Sequence, residues 1–542
     1  MSLGTFRVPT PINEPVKSYA PRSPERAALE NELALTASRE VEIPLVIGGK
    51  EVRTKKIGTA VMPHDHGHVL ARFHQAGAAE VQAAVDAAEA ARPAWCALPW
   101  EERAAVFLRA AEMLTTTHRD RVNAATMLGQ SKTCHQAEID AACEMIDFWR
   151  FNVHFAERIY AEQPISAPGV WNRLEHRPLD GFVLAITPFN FTSIGGNLPT
   201  APAILGNTAL WKPASTSILS NWELFQLLRD AGLPDGVINW IPGPGSVVGE
   251  IALASPRLGG VHFTGSTSTF NSIQHTVAKN LAHYGQYPRL VGETGGKDFI
   301  FAHVSCDVRA LAVALVRGAF EYQGQKCSAA SRAYVPKSLW KQVKAELGSM
   351  LAEVKMGDVR DFTNFVGAVI DESSFKKQKS AIAAAAKSKS ANVVFGGKCD
   401  SKKGWFVEPT VIEAIDPHYD TMQTELFGPV LTIHVYDDKR YDKALELCAT
   451  TSSYALTGAI FATDRGAVAQ ATTALRFAAG NFYVNDKPTG AIVGQQPFGG
   501  SRMSGTNDKA GSILNMLRWV SPRTIKETFV PPHDWRYPFL GR

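Results

Sequence analysis

Several features are scarce in this sequence, and each absence removes a class of answer. The seven cysteines, Cys96, Cys134, Cys143, Cys306, Cys327, Cys399 and Cys448, are scattered, odd in number and contain no C-x-x-C pair. They offer neither a disulfide framework nor a zinc or redox couple, and a reducing compartment fits them best. No stretch approaches the about 18 uninterrupted apolar residues of a membrane span, and residues 1–7 lead into a polar, proline-bearing segment. Charge of one sign is missing too. Fifty-six basic and 52 acidic residues leave a formal charge of +4, without the basic stripe that nucleic acid or an anionic membrane surface needs. The expectation is a cytoplasmic protein acting on a small molecule, not on nucleic acid or a membrane. The mitochondrial matrix is the alternative for a chain whose transit peptide has been removed. The run His64-Asp65-His66-Gly67-His68 lacks a second carboxylate or cysteine arm, so no metal is expected.

At 542 residues the chain exceeds what one hydrophobic core serves, so two large domains with a small accessory element are expected. Ser23-Pro24-Glu25 reads as an N-cap, a first-turn proline and a first-turn acid, opening a helix to about residue 39. Residues 41–61 alternate around Gly48-Gly49 like a hairpin, residues 78–91 form an alanine-rich helix stopped by Pro93, and further helices cover 101–114 and 136–161. From Gly181 short apolar runs at 182–186, 209–211, 237–241 and 260–263 alternate with helices, the pattern of parallel strands with helical crossovers. A second α/β set begins after Gly296, with strands at 298–302, 333–335 and 430–436. Segments 173–178 and 525–530 alternate like edge strands, which pair across subunits or within the chain.

Cys327 lies in Gln323-Gly324-Gln325-Lys326-Cys327-Ser328, where a glycine permits a tight turn beside a thiol. The thiolate is the attacking species, and Lys326 next door is expected to help lower the thiol's pKa. Two runs suit a phosphate at a helix N-terminus. Gly243-Pro244-Gly245-Ser246-Val247-Val248-Gly249 approximates a dinucleotide fingerprint with Val248 where its third glycine belongs, and Phe263-Thr264-Gly265-Ser266 carries a strand into a capped turn. Asn190, just past the strand at 182–186, is placed to donate to an oxyanion or to cap a turn. Glu293, at an apolar strand end, is either a general base with a raised pKa or a solvated loop acid.

Taken in order, Thr187-Pro188-Phe189-Asn190-Phe191, Trp211-Lys212-Pro213-Ala214, Phe263-Thr264-Gly265-Ser266, Glu293-Thr294-Gly295-Gly296-Lys297, Gly324-Gln325-Lys326-Cys327, Glu425-Leu426-Phe427-Gly428-Pro429 and Pro497-Phe498-Gly499-Gly500 resemble the aldehyde dehydrogenase superfamily. The 34 positions from Glu293 to Cys327 also match its spacing. The resemblance implies an α/β fold with a Rossmann-type NAD-binding domain (41–164 and 183–294), an α/β catalytic domain (295–488) and a small β oligomerisation flap (165–182 and 512–542). The N-terminal arm and helix (1–40) and a substrate-anchor loop with its following segment (489–511) complete it, and a homodimer or higher homo-oligomer is implied.

The same resemblance makes Cys327 the nucleophile, Asn190 an oxyanion donor and Glu293 the base that hydrolyses a thioester. Thr187, Lys212, Ser215, Gly245, Gly249, Gly265, Ser266, Glu425 and Phe427 become cofactor contacts. Many NAD-preferring members carry an acid where Ser215 stands, so NAD is expected and NADP remains possible. Tyr322, where the family commonly has asparagine, and Gly494-Gln495-Gln496-Pro497 followed by Gly505-Thr506-Asn507-Asp508-Lys509 look like the L-glutamate γ-semialdehyde (Δ1-pyrroline-5-carboxylate) dehydrogenase group. That likeness implies proline catabolism, with Phe191, Ser328, Gly490, Ala491 and Phe498 at the substrate. Some relatives have serine where Ala491 stands, leaving only its backbone N–H here. The alternatives are another NAD(P)-dependent semialdehyde dehydrogenase of the superfamily and a catalytically silent structural member.

Overall fold

The computed structural model describes residues 4–541. The apolar runs that begin at Gly181 form the centre of a seven-stranded sheet. Arg289–Glu293, Leu258–Thr264, Phe182–Ile186, Ala209–Lys212 and Ile238–Trp240 lie side by side in that order, all parallel. Their register pairs Glu293 with Thr264, Phe263 with Ile186 and Ile186 with Lys212, so the carboxyl ends of four strands share one edge. Ligands of open α/β sheets bind at such an edge. Leu45–Ile47 and Lys50–Val52 extend the far side as an antiparallel hairpin. Its turn requires glycine: Gly48 and Gly49 have φ of 55° and 79°, and a β-carbon on Gly49 would fall 2.0 Å from Asp235 Cγ. Only this part of 41–61 is the expected hairpin. Val41–Ile43 instead pairs with Asp65–His74 in a separate three-stranded sheet.

The second sheet runs Ala391–Phe395, Thr410–Ala414, Val430–Tyr436, Ala330–Pro336, Asp298–Ala302, Thr457–Phe461 and Asn481–Val484. Every neighbouring pair is parallel except the first. Its interior strand Asp298–Ala302 is buried at all five positions, which is why it reads as a nearly continuous apolar run rather than an alternation. The two expected edge strands pair with each other, Val170–Pro178 against Val520–Thr528 in a nine-residue antiparallel ladder. None of the helices among the described residues is long and apolar enough to cross a membrane.

Three helices depart from the sequence expectation. Pro93 lies inside Ala78–Ala97 rather than ending it, because the turn beyond it buries Trp95, whose Nε1 donates to Ala203 O at 2.9 Å. Arg119–Gln130 was not read as a helix: ten of its twelve residues are buried, polar ones included, so it has no apolar stripe to find. The helix expected over 136–161 is broken by a π-helical turn at Glu138–Cys143 before continuing as Glu144–Ala161. Such insertions are frequent at functional sites.

Candidate active site

Cys327 sits between helix Val308–Phe320 and strand Ala330–Pro336, on a turn that the chain would not adopt unaided. Tyr322, Gln323 and Gly324 have φ of 50°, 55° and 65°. Gly324 must be glycine, since a β-carbon there would lie 2.4 Å from Gly428 O. For Tyr322 and Gln323 a left-handed backbone costs about 1–3 kcal/mol each, so surrounding contacts must offset it. Gln323 Nε2 donates to Ser131 O at 2.9 Å and Ala368 O at 2.8 Å, and its Oε1 accepts from Gly367 N at 2.9 Å. Gln325 Oε1 accepts from Ile370 N at 2.8 Å. Asn190 Nδ2 donates to Gln325 O at 3.1 Å, which sets the Asn190 amide against the turn carrying Cys327, and Asn190 is 4 % exposed.

A cavity of 280 Å³ opens at Cys327 and is lined by Glu293, Phe191, Ser328, Gly490, Ala491 and Phe498. The nucleophile candidate, the base candidate and all five substrate candidates therefore meet in one space. Ser328 Oγ donates to Thr489 Oγ1 at 2.9 Å, tying the residue after the thiol to the loop that begins Thr489-Gly490. Glu293 is not a solvated loop acid. Burial raises its pKa well above the ordinary carboxylate value, and the carboxylate of Asp508 adds to this against Lys509 and a Gly500 N–H. Its Oε2 is buried with no hydrogen-bond partner among the described residues.

The expectation that Lys326 lowers the Cys327 pKa is overturned. Lys326 Nζ lies 3.3 Å from Asp140 Oδ2 and is committed to that carboxylate. Burial raises the Cys327 thiol well above its ordinary value, followed by the carboxylates of Asp298, Glu293 and Glu425. The thiol is surrounded by acids, so a cation in the site would favour its ionisation.

Asp140 belongs to a charged cluster that the sequence reading missed. Lys132, fully buried, donates to Asp140 Oδ2 at 2.7 Å, and its Nζ stands 4.5 Å from the Phe191 ring centre and 4.4 Å from that of Tyr322. This gives the unusual Tyr322 its place, since its ring faces a buried ammonium. Glu144, also on the cavity wall, accepts from Ser193 Oγ, and burial and then Asp140 push its carboxyl up to about 8. The sequence signal was present only as the break in helical repeat that the π turn makes between 138 and 143.

Seven of the nine cofactor candidates lie on the strands of the first sheet or in the segments that follow them, while Glu425 and Phe427 come from the segment before strand Val430–Tyr436 of the second. Lys212 ends its strand in an enclosed position that pushes its ammonium down to about 8 through burial alone, and among the described residues no carboxylate forms an ion pair with it. Ser215, three residues on, is exposed on the short turn Ser215–Ser217. Gly245 starts helix Gly245–Ala254 with nothing within 4 Å of where a side chain would stand. Gly249 lies inside that helix, beyond the free N–H groups of the first turn. Gly265 leads into Ser266, the N-cap of helix Thr267–Lys279, whose hydroxyl accepts from Thr269 N. Glu425 Oε1 accepts from Gly296 N at 2.8 Å. The Phe427 ring meets that of Phe189 edge-on at 5.7 Å. Thr187 is 4 % exposed and its hydroxyl accepts from Trp211 Nε1 at 3.3 Å. A cation without an ion pair among the described residues, two helix N-termini after strands of the first sheet and a carboxylate reaching Gly296 from the second fit a dinucleotide. The histidines of 64–68 turn apart instead: His64 Nδ1 lies 3.2 Å from Ser131 Oγ, His66 Nε2 3.0 Å from Ser401 O and His68 Nε2 2.9 Å from Ala37 O.

Known proteins are similar to this chain in sequence and in fold. The Aldehyde dehydrogenase family model matches residues 52–525. The mitochondrial delta-1-pyrroline-5-carboxylate dehydrogenase of Dictyostelium discoideum is 54% identical over 98% of this chain and 96% of its own length. The human protein of the same name is 48% identical over 97% of this chain and 94% of its own. The crystal structure of the delta-pyrroline-5-carboxylate dehydrogenase from Mycobacterium tuberculosis bound with NAD superposes with a TM-score of 0.97 at 54% identity, each chain covered completely. With a family model that spans most of its length and relatives this similar from end to end, the chain belongs to the aldehyde dehydrogenase family.

Proposed function

We propose that this chain oxidises L-glutamate γ-semialdehyde, the open form of Δ1-pyrroline-5-carboxylate, to L-glutamate with NAD+ and water. The observation that carries the reading is the single cavity lined by Cys327, Glu293, Ser328 and the Gly490-Ala491 loop. A thiol, a carboxyl group and a set of polar anchors line one small space together with the rings of Phe191 and Phe498. The identity to dehydrogenases named for this substrate supports the choice of aldehyde.

Lys212, the first-turn N–H groups after Gly245 and Ser266, and the Glu425 carboxylate would hold the dinucleotide. When bound, its oxidised nicotinamide brings a positive charge and accepts the hydride released from the aldehyde carbon. The Cys327 thiolate forms the C–S bond and drives the carbonyl π pair onto oxygen, where the Asn190 amide and the Cys327 N–H donate. Once the hydride has left, the oxygen lone pair restores the C=O and a thioester remains on Cys327. Glu293 then takes a proton from water, hydroxide adds to the thioester carbon, and the C–S bond breaks to free the carboxylic acid and a thiolate, which the proton held by Glu293 returns to the thiol. Ser328 and the Gly490-Ala491 N–H groups receive the α-amino acid end of the substrate. Ser215 neither rewards a 2′-hydroxyl nor repels a 2′-phosphate, so discrimination between NAD and NADP is weak at this position.

The two-stranded ladder of Val170–Pro178 with Val520–Thr528 serves as an oligomerisation flap, supported by the exposed Trp171, Phe529 and Val530 at one end. The domain division at 41–164 with 183–294 and at 295–488 follows the two sheets, and a cytoplasmic or matrix location follows the scattered free thiols. The test compares Δ1-pyrroline-5-carboxylate, succinate semialdehyde and simple alkyl aldehydes by NADH absorbance. The expected result is the highest kcat/KM with pyrroline-5-carboxylate, and a clear preference for alkyl aldehydes overturns the assignment.

A further inference from the structure

The far wall of the Cys327 cavity includes Asn13, Glu14 and Val16, which belong to an extended arm preceding the first helix, Pro24–Ala37. This arm lies outside the stretch 52–525 that the family model matches. It is strapped along the π turn Glu138–Cys143 and the cavity helix that continues it, Glu144–Ala161, by backbone donors to three carboxylates. Val8 N reaches Glu157 Oε2 at 2.8 Å, Glu14 N reaches Asp147 Oδ1 at 2.7 Å and Lys17 N reaches Glu138 Oε1 at 2.8 Å. Glu14 is held in turn by Arg119 and Arg150.

Asn13 uses its whole amide to join this helix to the substrate-end loop. Its Nδ2 donates to Asp147 Oδ2 at 2.8 Å and to Val493 O at 2.9 Å, and its Oδ1 accepts from Gln495 Nε2 at 2.8 Å. Val493 and Gln495 stand two and four residues after Ala491. Between them Gly494, at φ 81°, passes so close to the helix that a β-carbon would lie 2.2 Å from the Phe151 ring. One side chain therefore ties together two parts of the cavity lining, Asp147 and Val493.

We infer that Asn13 is a positioning residue that fixes the 490–495 loop against the cavity helix and so sets the preference for an aldehyde with an amino-acid terminus. The specificity part rests on the proposed reading that this loop receives the α-amino acid end. The hydrogen bonds of Asn13 go to Asp147, Val493 and Gln495 and not to Cys327, Glu293 or Asn190, so its loss weakens anchoring and spares the covalent step.

The test uses the full-length Asn13→Ala variant with two readouts. In steady state, KM for pyrroline-5-carboxylate rises about tenfold while kcat, KM for NAD+ and turnover of propanal each stay within about twofold. In amide hydrogen exchange, residues 490–496 lose protection while the strands of both sheets keep theirs. An unchanged KM, an equal loss on propanal, or unchanged exchange at 490–496 overturns the inference. A parent enzyme without preference for pyrroline-5-carboxylate removes the proposed function and the specificity part with it. Exchange at 490–496 then still decides the positioning role by itself.

Discussion

The two halves of the site are built by different means. Along the first sheet, Lys212, Ser266 and Glu293 reach their places because parallel strands end in register, and helix N-termini follow two of those strands. Across the cleft, Cys327 precedes its strand on a turn with three left-handed residues, held by side chains from distant parts of the chain, Gln323 to the 131 and 367–368 backbone above all. Topology alone positions the groove, whereas the nucleophile loop is positioned against its own backbone preference. A groove made of N–H groups and strand ends tolerates much sequence change, while a strained turn depends on every clamp that offsets it.

The sharpest way to separate the halves is Cys327→Ala. Turnover should fall about 10⁴-fold or more while NAD+ binding, read by fluorescence titration, changes little. Undiminished turnover would remove the covalent mechanism. Glu293→Gln should cost about 10²–10³-fold in steady state yet leave a stoichiometric burst of NADH in the stopped flow, because hydride transfer precedes the step that needs the base. Since burial raises the Glu293 pKa, the active carboxylate accumulates as pH rises. The acid limb of kcat should therefore lie above the ordinary carboxylate range and vanish in the variant. The same raised pKa makes its protonated form favour folding at low pH, a contribution lost as pH climbs through the folded value.

Gln323→Ala tests whether the loop depends on its clamp. Removing a side chain that satisfies three buried backbone groups should cost about 2–4 kcal/mol of stability and slow alkylation of Cys327 by iodoacetamide, with NAD+ affinity spared. An unchanged denaturation midpoint would show that the turn holds itself. The smallest effect is expected in the groove. Lys212→Met should raise KM for NAD+ about tenfold with kcat nearly constant, because N–H donors and strand ends keep the rest of the site in place.

Much of this was readable from residue types in order. The strands at 182–186, 298–302 and 430–436 announce themselves as short apolar runs, and Ser23 and Asp307 cap the helices they precede. Lys132, Asp140 and Glu144 were not readable, because a buried charged residue has no periodic signature and its partners are distant in sequence. Lys326 shows the limit most plainly. Adjacency to Cys327 suggested a cation acting on the thiol, but its ammonium turns to Asp140, and the thiol is left among carboxylates.

By itself the sequence determined the family, the α/β class, and the thiol, amide and carboxylate that carry the proposed chemistry, since these depend on residue identity and on patterns within single elements. Only the tertiary structure decided how they are held: which cation meets which carboxylate, that the two flap strands pair with each other, and that the N-terminal arm reaches the cavity. Those arrangements rest on contacts between segments tens to hundreds of residues apart, as between Asn13 and Val493, and their energies arise from burial and geometry that exist only once the chain has folded.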